Sequence, residues 1–247
     1  MKTTSLSIFL LLIVAFCYGQ TKHPVELSKV LEKHGGIATW QSMKAMQYDI
    51  IRKKGNETHY IHLWDRRDRV EANTYNLGFD GQQVWVQEKG EAYKGNAIFY
   101  HNLMFYFYAM PFVLADDGII YKTATPLEFE GTTYPGIHIA YQSEVGFSPE
   151  DEYFLHYDPD TYQMAWLGYT VTYYTKEKSK KIKWIRYDDW QEINGLVLPK
   201  SMSWYNLENN LPTTLKSTTS FENIKVSSKA FEDTLFNIPE GAKVVKE

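Results

Sequence analysis

The chain contains seven histidines, thirty acidic residues and a single cysteine, Cys17, and these set the limits of its covalent chemistry. His59 and His62 come nearest to a metal pair. Residues three apart on a strand point to opposite faces, so the two cannot share an ion without distortion. Asp116, Asp117, Asp158 and Asp160 fall in turn-like sequence, where aspartate commonly bonds the local backbone. The calcium-loop pattern of spaced oxygens closed by a glutamate is missing. A glycosidase needs two carboxylates roughly 5–10 Å apart across a cleft. Glu128, Glu130, Glu144, Glu152, Asp188 and Asp189 all fall on expected strands, and no pattern selects a pair among them. No Gly-x-Ser-x-Gly elbow, phosphate-binding glycine loop or His-Glu-x-x-His helix occurs. His34 reads as a helix-end residue with a satisfied ring rather than a catalytic one, and the lysines of Lys176–Lys183 read as a solvated hairpin tip. Neither a metal nor a cofactor is expected.

What remains is non-covalent chemistry, concentrated in Ile98–Leu114, IFYHNLMFYFYAMPFVL. These 17 residues carry no charge and seven Phe or Tyr rings. A bilayer crossing wants roughly 20 apolar residues, and His101, Asn102 and Pro111 interrupt this run. A helix over Asn96–Met110 would be oily on every side, the pattern of a segment enclosed by protein. Pro111 would end it, because proline lacks the N–H and disfavours helix in the residue before it. The run has two readings. It can be plain core, or it can border a partly wet cavity in which Tyr100, His101, Tyr106, Tyr108 and Tyr121 find partners for their polar tips.

The elements that must hold this run are mostly strands. Pro24–His34 repeats Leu27, Val30, Leu31 and His34 on one helical face, closed by Gly35-Gly36. A short helix over Ile37–Ala45 follows. From Gln47 the period becomes two, giving a four-strand meander that includes an Asp80-Gly81 hairpin turn. After Leu114 come further hairpins, around Thr132–Gly136, Asp158–Thr161 and Asn194-Gly195, and a last strand over about Thr213–Val226. Phe231, Phe236 and Ile238 read as a tail folded back onto the core. With no internal repeat and no long linker, residues 20–247 are expected to form one domain, mainly β with few helices (α+β).

The first residues have the form of an export signal: Lys2, an apolar run over Leu6–Phe16, and small residues leading to a cut after Gly19. Acylation at Cys17 is the lesser alternative, since Phe16 stands where a lipoprotein signal wants a small residue. Removal of the signal leaves 228 residues, no cysteine and a charge near −5, from −4 for the whole chain. That excludes disulfides and thiolate sites and gives no basic face for nucleic acid. The chain is therefore expected in the periplasm or at the cell surface, as a monomer.

Two stretches carry a family resemblance: His34-Gly35-Gly36 with Trp40 ahead of the aromatic run and Asp116-Asp117-Gly118, and Asp188-Trp190-Ile193-Asn194-Gly195-Leu196-Leu198-Pro199 ahead of Phe221 and Ile224. The first resembles a family of exported bacterial proteins of unknown function. The second is similar to the closing strands of the LolA/LolB-like, outer-membrane lipoprotein-sorting group. That resemblance implies an open antiparallel half-barrel of about eleven strands, with helices plugging the concave face and acyl chains received between helices and sheet. The plug here is bulkier and more aromatic than such a carrier needs. The resemblance implies no catalytic residues. The function expected is an exported binder or carrier of an amphiphile or lipid acyl chain, with envelope proteins as further partners. Its cavity is expected to use Trp64, Trp85, Tyr100, Phe105, Tyr106, Tyr108, Met110 and Trp166. The alternatives are an envelope glycan- or lipid-acting hydrolase with a carboxylate pair, and a structural interaction module.

Overall fold

The computed structural model describes residues 23–53, 55–142 and 150–246, so the expected export signal and Glu144 lie outside the described residues. Two helices, α1 (Val25–Lys33) and α2 (Ile37–Ser42), precede five strands: β1 (Ala45–Ile50), β2 (Glu57–His62), β3 (Asp68–Glu71), β4 (Tyr75–Phe79) and β5 (Val84–Glu88). The aromatic run then forms α3 (Ala97–Tyr100), α4 (Leu103–Tyr108) and a 3-10 turn over Phe112–Ala115. Seven strands follow: β6 (Ile119–Phe129), β7 (Thr132–Tyr141), β8 (Glu152–Tyr157), β9 (Met164–Tyr169), β10 (Lys183–Ile193), β11 (Leu196–Glu208) and β12 (Leu211–Ser227). The three-residue β13 (Lys243–Val245) closes the chain.

All of these strands join one open sheet in the order β13-β5-β4-β3-β2-β1-β12-β11-β10-β9-β8-β7-β6. Every neighbouring pair is antiparallel. The architecture is the expected mainly β, open half-barrel type. It has thirteen strands rather than about eleven, and one of the additions comes from the tail, where Lys243–Val245 pairs with β5. Alternation along each strand sorts side chains between two faces. Leu167, Tyr169, Ile185 and Tyr187 turn inward, into the main core with Phe105, Tyr108, Phe112 and Leu114 of the aromatic run. Trp166 and Trp184 turn outward and meet Leu127 and Phe129 in a separate cluster. The uncharged run is thus held against the inner face of the sheet.

One continuous helix over Asn96–Met110 does not form. The run breaks at His101-Asn102 and again after Tyr108. Phe and Tyr are middling helix formers, and short helices owe their stability to packing, so anchoring contacts decide where the chain bends. Asn96 caps α3 by accepting the Phe99 N–H at 3.0 Å. His101 then turns toward β3, where its Nδ1 lies 2.7 Å from Asp68 Oδ2, both side chains being buried. The Met110-Pro111 peptide is cis.

The two stretches that carried the resemblance clasp each other. Gly36 N–H bonds Leu31 O at 2.8 Å to close α1, and Val197 N–H bonds His34 O at 2.9 Å. Gly35, at φ +104°, lies so close to Gly195 O that a Cβ there would collide with it. Only glycine fits both demands. The His34 ring is satisfied: Nδ1 meets Val197 O at 2.9 Å and Nε2 accepts Met164 N–H at 3.2 Å. Trp40 stacks on Phe112 at 4.7 Å, tying α2 to the plug.

Candidate ligand pocket beside the helical plug

The plug packs against the inner face of the sheet but does not fill it as far as β7 and β8. A cavity of about 320 Å³ lies there. Its apolar wall comes from Ile98 of α3, Leu103 and Phe107 of α4, and Val113 of the 3-10 turn. Tyr141 at the end of β7, Tyr153 of β8 and Tyr173 of the loop after β9 supply rings from the other side, and Tyr106 faces them from α4. Successive positions on the six-residue α4 thus divide between core and pocket, so Phe105 and Tyr108 are fully buried while Leu103 and Tyr106 keep some exposure.

The polar lining is acidic. Asp116 and Asp117, just after the 3-10 turn, and Asp151, just before β8, all border the cavity. Arg66 Nη2 binds Asp116 Oδ2 at 2.8 Å. Asp151 accepts Thr172 N–H at 2.6 Å and the Thr172 hydroxyl at 2.8 Å. Burial raises the Asp151 carboxyl above its ordinary value, and the Thr172 hydrogen bonds oppose that shift. Burial also raises Tyr106, Tyr141 and Tyr153, so all three remain phenols that can donate as well as accept. His101 lines the wall with Asp68 behind it. Among the described residues, no group of three or more His, Cys, Asp or Glu side chains could hold a metal ion.

A second depression of about 710 Å³ adjoins the first and shares Ile98 and Tyr173 with it. It is a wider groove along β5 and β13, bordered by Lys176, Lys243, Lys246 and Glu88. Lys243 already pairs with Glu88 at 2.8 Å. The smaller cavity is the better candidate site despite its size, because helix and sheet both wall it and its lining is more apolar.

Of the eight residues nominated from sequence, Tyr106 lines this cavity and the other seven do not. Phe105, Tyr108 and Met110 are core, each at most 1% exposed. Tyr100 points to the opposite flank of the plug. Trp64 is 60% exposed, with Lys44 Nζ 4.6 Å above its ring. Trp85 and Trp166 are fully buried, but on the outer face of the sheet. Trp85 lies beneath Arg69, whose Nη1 donates to Leu235 O, and Trp166 packs against Phe129 and Tyr205. Strand parity decides this: Val84 and Val86 face α3, so Trp85 between them cannot.

Sequence reading also passed over Glu57. Tyr100 and Tyr75 donate to its two carboxylate oxygens at 2.5 and 2.7 Å, and Arg52 Nε lies 3.0 Å away. Arg52 Nη2 donates in turn to Tyr100 Oη at 2.7 Å. Burial alone would raise this carboxyl, but the His59 ring 3.5 Å away, hydrogen bonds from Tyr100 and Tyr75 and the Arg52 charge hold it at about 2. This network pins α3 to β2 and leaves the other flank of the plug to the pocket. His59 faces this network and stacks on Tyr48 at 4.9 Å, whereas His62 bonds Asp65 and meets Phe236 on the other face.

Comparison with known proteins places the fold. The chain is similar to a LolA superfamily protein from Nitrosomonas europaea at a TM-score of 0.53 and 10% identity, covering 87% of this chain and 99% of that one. A DUF1329 family protein from Desulfovibrio piger matches at a TM-score of 0.50 and 11% identity, over 86% of this chain and 97% of that one. At such identities the likeness establishes a LolA-like open half-barrel and nothing about the ligand. No curated protein matches the sequence. Residues 85–232, more than half of the chain, match the family of unknown function DUF6503, and the protein belongs to that family.

Proposed function

We propose that this protein is an exported binder of an amphiphile in the cell envelope. It would be matured by cleavage after Gly19, act as a monomer, and take part of an alkyl chain into the cavity between α4 and β7–β8. The observation that carries this reading is that cavity, walled by Ile98, Leu103, Phe107 and Val113 and rimmed by tyrosine and aspartate. Its 320 Å³ lies at the small end of ligand-site sizes. At about 30 Å³ per water-sized group, it holds about ten such groups. Burying about ten methylenes at about 0.8 kcal/mol each gives about 8 kcal/mol before the costs of association. An association cost of about 4 kcal/mol or more leaves about 4 kcal/mol at most, which is millimolar binding, suited to carrying rather than irreversible capture. No helix among the described residues is long and apolar enough to cross a membrane. The likeness to a LolA superfamily protein supports the reading at the level of fold.

The test is calorimetric titration of the mature protein with a neutral ten-carbon alcohol, alongside a Leu103→Trp variant that fills the cavity from its half-exposed wall. Saturable binding by the parent, lost in a variant that still melts cooperatively, supports the reading. Equal heats from both proteins, or none from either, count against it.

A further inference from the structure

Three tyrosines around the cavity carry hydroxyls that hold nothing together in the fold. Ile139 of β7 pairs with Tyr153 of β8, so Tyr141, two residues on, shares the inner face with Tyr153. Their rings lie 6.0 Å apart, edge to face, and Tyr106 of α4 lines the opposite wall. Burial raises all three phenols; Tyr153 next feels Tyr141, Asp151 and Tyr106, and Tyr141 next feels Tyr106, so the hydroxyls lie within electrostatic reach of one another. None of the three makes a hydrogen bond to a described residue. Neighbouring tyrosines show the contrast: Tyr121 donates to Leu114 O and Tyr187 to Phe107 O, both at 2.8 Å. The hydroxyls of Tyr48 and Tyr108 are sealed in the core, whereas Tyr106, Tyr141 and Tyr153 keep partial exposure at the cavity. The bordering carboxylates are engaged elsewhere, Asp116 by Arg66 and Asp151 Oδ1 by Thr172. A largely buried hydroxyl without a partner is costly, and a phenol donates more readily than it accepts, because its lone pair is shared with the ring.

From these hydroxyls we infer that the cavity selects an acyl chain by its carbonyl: the alkyl tail lies against Leu103, Phe107 and Val113, and the carbonyl oxygen accepts from the Tyr106, Tyr141 and Tyr153 phenols. This rests on the amphiphile reading above and names the group that marks the amphiphile. A carbonyl oxygen has two lone pairs and so takes two of the three donors at once. The carbonyl belongs to a free fatty acid or to its ester or amide, since the phenols meet the same oxygen in each. A chain joined to its head through an ether oxygen offers a poorer acceptor and leaves the hydroxyls unmatched, which is the basis of the discrimination.

The experiment holds the chain at ten carbons and changes the junction. The full mature protein is titrated at pH 7, followed by NMR shifts, with decanoyl-N-methylglucamide, decanoate and decyl glucoside, each below its micelle threshold. The first two carry an acyl carbonyl and the third an ether-type oxygen. The tighter acyl probe is expected to bind about tenfold more tightly than decyl glucoside, and which of the two it is tells the free acid from its derivatives. A variant combining Tyr106→Phe, Tyr141→Phe and Tyr153→Phe loses three hydroxyls and no ring. It should lose that preference, keep its affinity for decyl glucoside and melt no lower than the parent, with each single variant giving about two- to tenfold of the loss or none. Tyr187→Phe, which breaks a bond within the core, should lower the melting temperature and leave the preference intact. Decyl glucoside binding as tightly as both acyl probes, or a preference that survives loss of the hydroxyls, overturns the carbonyl inference and leaves the amphiphile reading standing. Failure of all three probes to bind overturns both.

Discussion

Acid should loosen this fold before most of its carboxylates titrate, because burial disfavours the charged form of two imidazoles. His34 is fully buried, with Nδ1 against Val197 O and Nε2 receiving the Met164 N–H. Its pKa is lowered from 6.5 to about 4, chiefly by burial. His156, 1% exposed and bonded through Nδ1 to Tyr134 O at 3.1 Å, is lowered to about 4 for the same reason. A histidine that is harder to protonate in the folded state makes the unfolded chain the better proton binder between pH 6.5 and 4. Stability is therefore complete above pH 6.5, falls as pH drops, and levels off for these groups below about 4. Each tenfold in proton affinity is worth about 1.36 kcal/mol, so each site costs about 3 kcal/mol across that window. Asp151, raised by burial, works in the opposite direction and trims the loss. Glu57 adds its own loss only below 4.5, as pH falls toward about 2. The assay is urea unfolding at pH 7, 6, 5 and 4 for the parent, His34→Gln and His156→Gln. Glutamine keeps an amide donor and acceptor but cannot take a proton. The parent midpoint should fall steeply between pH 6 and 4, and each variant should lose about half of that slope. A flat parent, or variants as steep as the parent, would refute the assignment.

Three substitutions probe the frame around the pocket. Glu57→Gln strips the charge from the Arg52–Tyr100–Tyr75 network and should cost about 2 kcal/mol, a fall of several degrees in melting temperature, since Arg52 keeps partial access to water. Tyr187→Phe removes a buried hydroxyl that donates to Phe107 O at 2.8 Å and should cost about 1–2 kcal/mol by urea unfolding. Gly35→Ala meets both a positive φ and the Gly195 carbonyl, and should cost more than about 3 kcal/mol or abolish soluble expression.

The fold was legible in the sequence because its signals are local. Period-two alternation, the Asp80-Gly81 and Asn194-Gly195 turns and the Gly35-Gly36 stop each act over a few residues. Burial of the aromatic run followed from its lack of charge. The pocket was not legible, for two physical reasons. From Leu103 to Leu114 the run has no strongly polar residue, so helical periodicity cannot tell the face toward the core from the face toward a void, and Phe105, Tyr108 and Met110 read the same as Leu103 and Phe107. Tryptophans on strands, Trp85 and Trp166 among them, carry no mark of which face they take until register is known. Asp116 and Asp117 read as turn residues, and Glu57 stood out in no pattern. Their partners, Arg66, Tyr75 and Tyr100, are distant in sequence and are brought in only by strand pairing.

Where an alkyl chain goes on this protein tests the account most directly. Photolabelling the mature protein with a ten-carbon alcohol bearing a diazirine near its far end, followed by peptide mapping, locates the chain itself. The account predicts adducts concentrated on Leu103–Val113 and on the segments carrying Tyr141 and Tyr153, competed away by excess decanol and absent in Leu103→Trp. Adducts spread over exposed apolar positions such as Leu211 and Leu215, undiminished by competitor and unchanged in that variant, would contradict it.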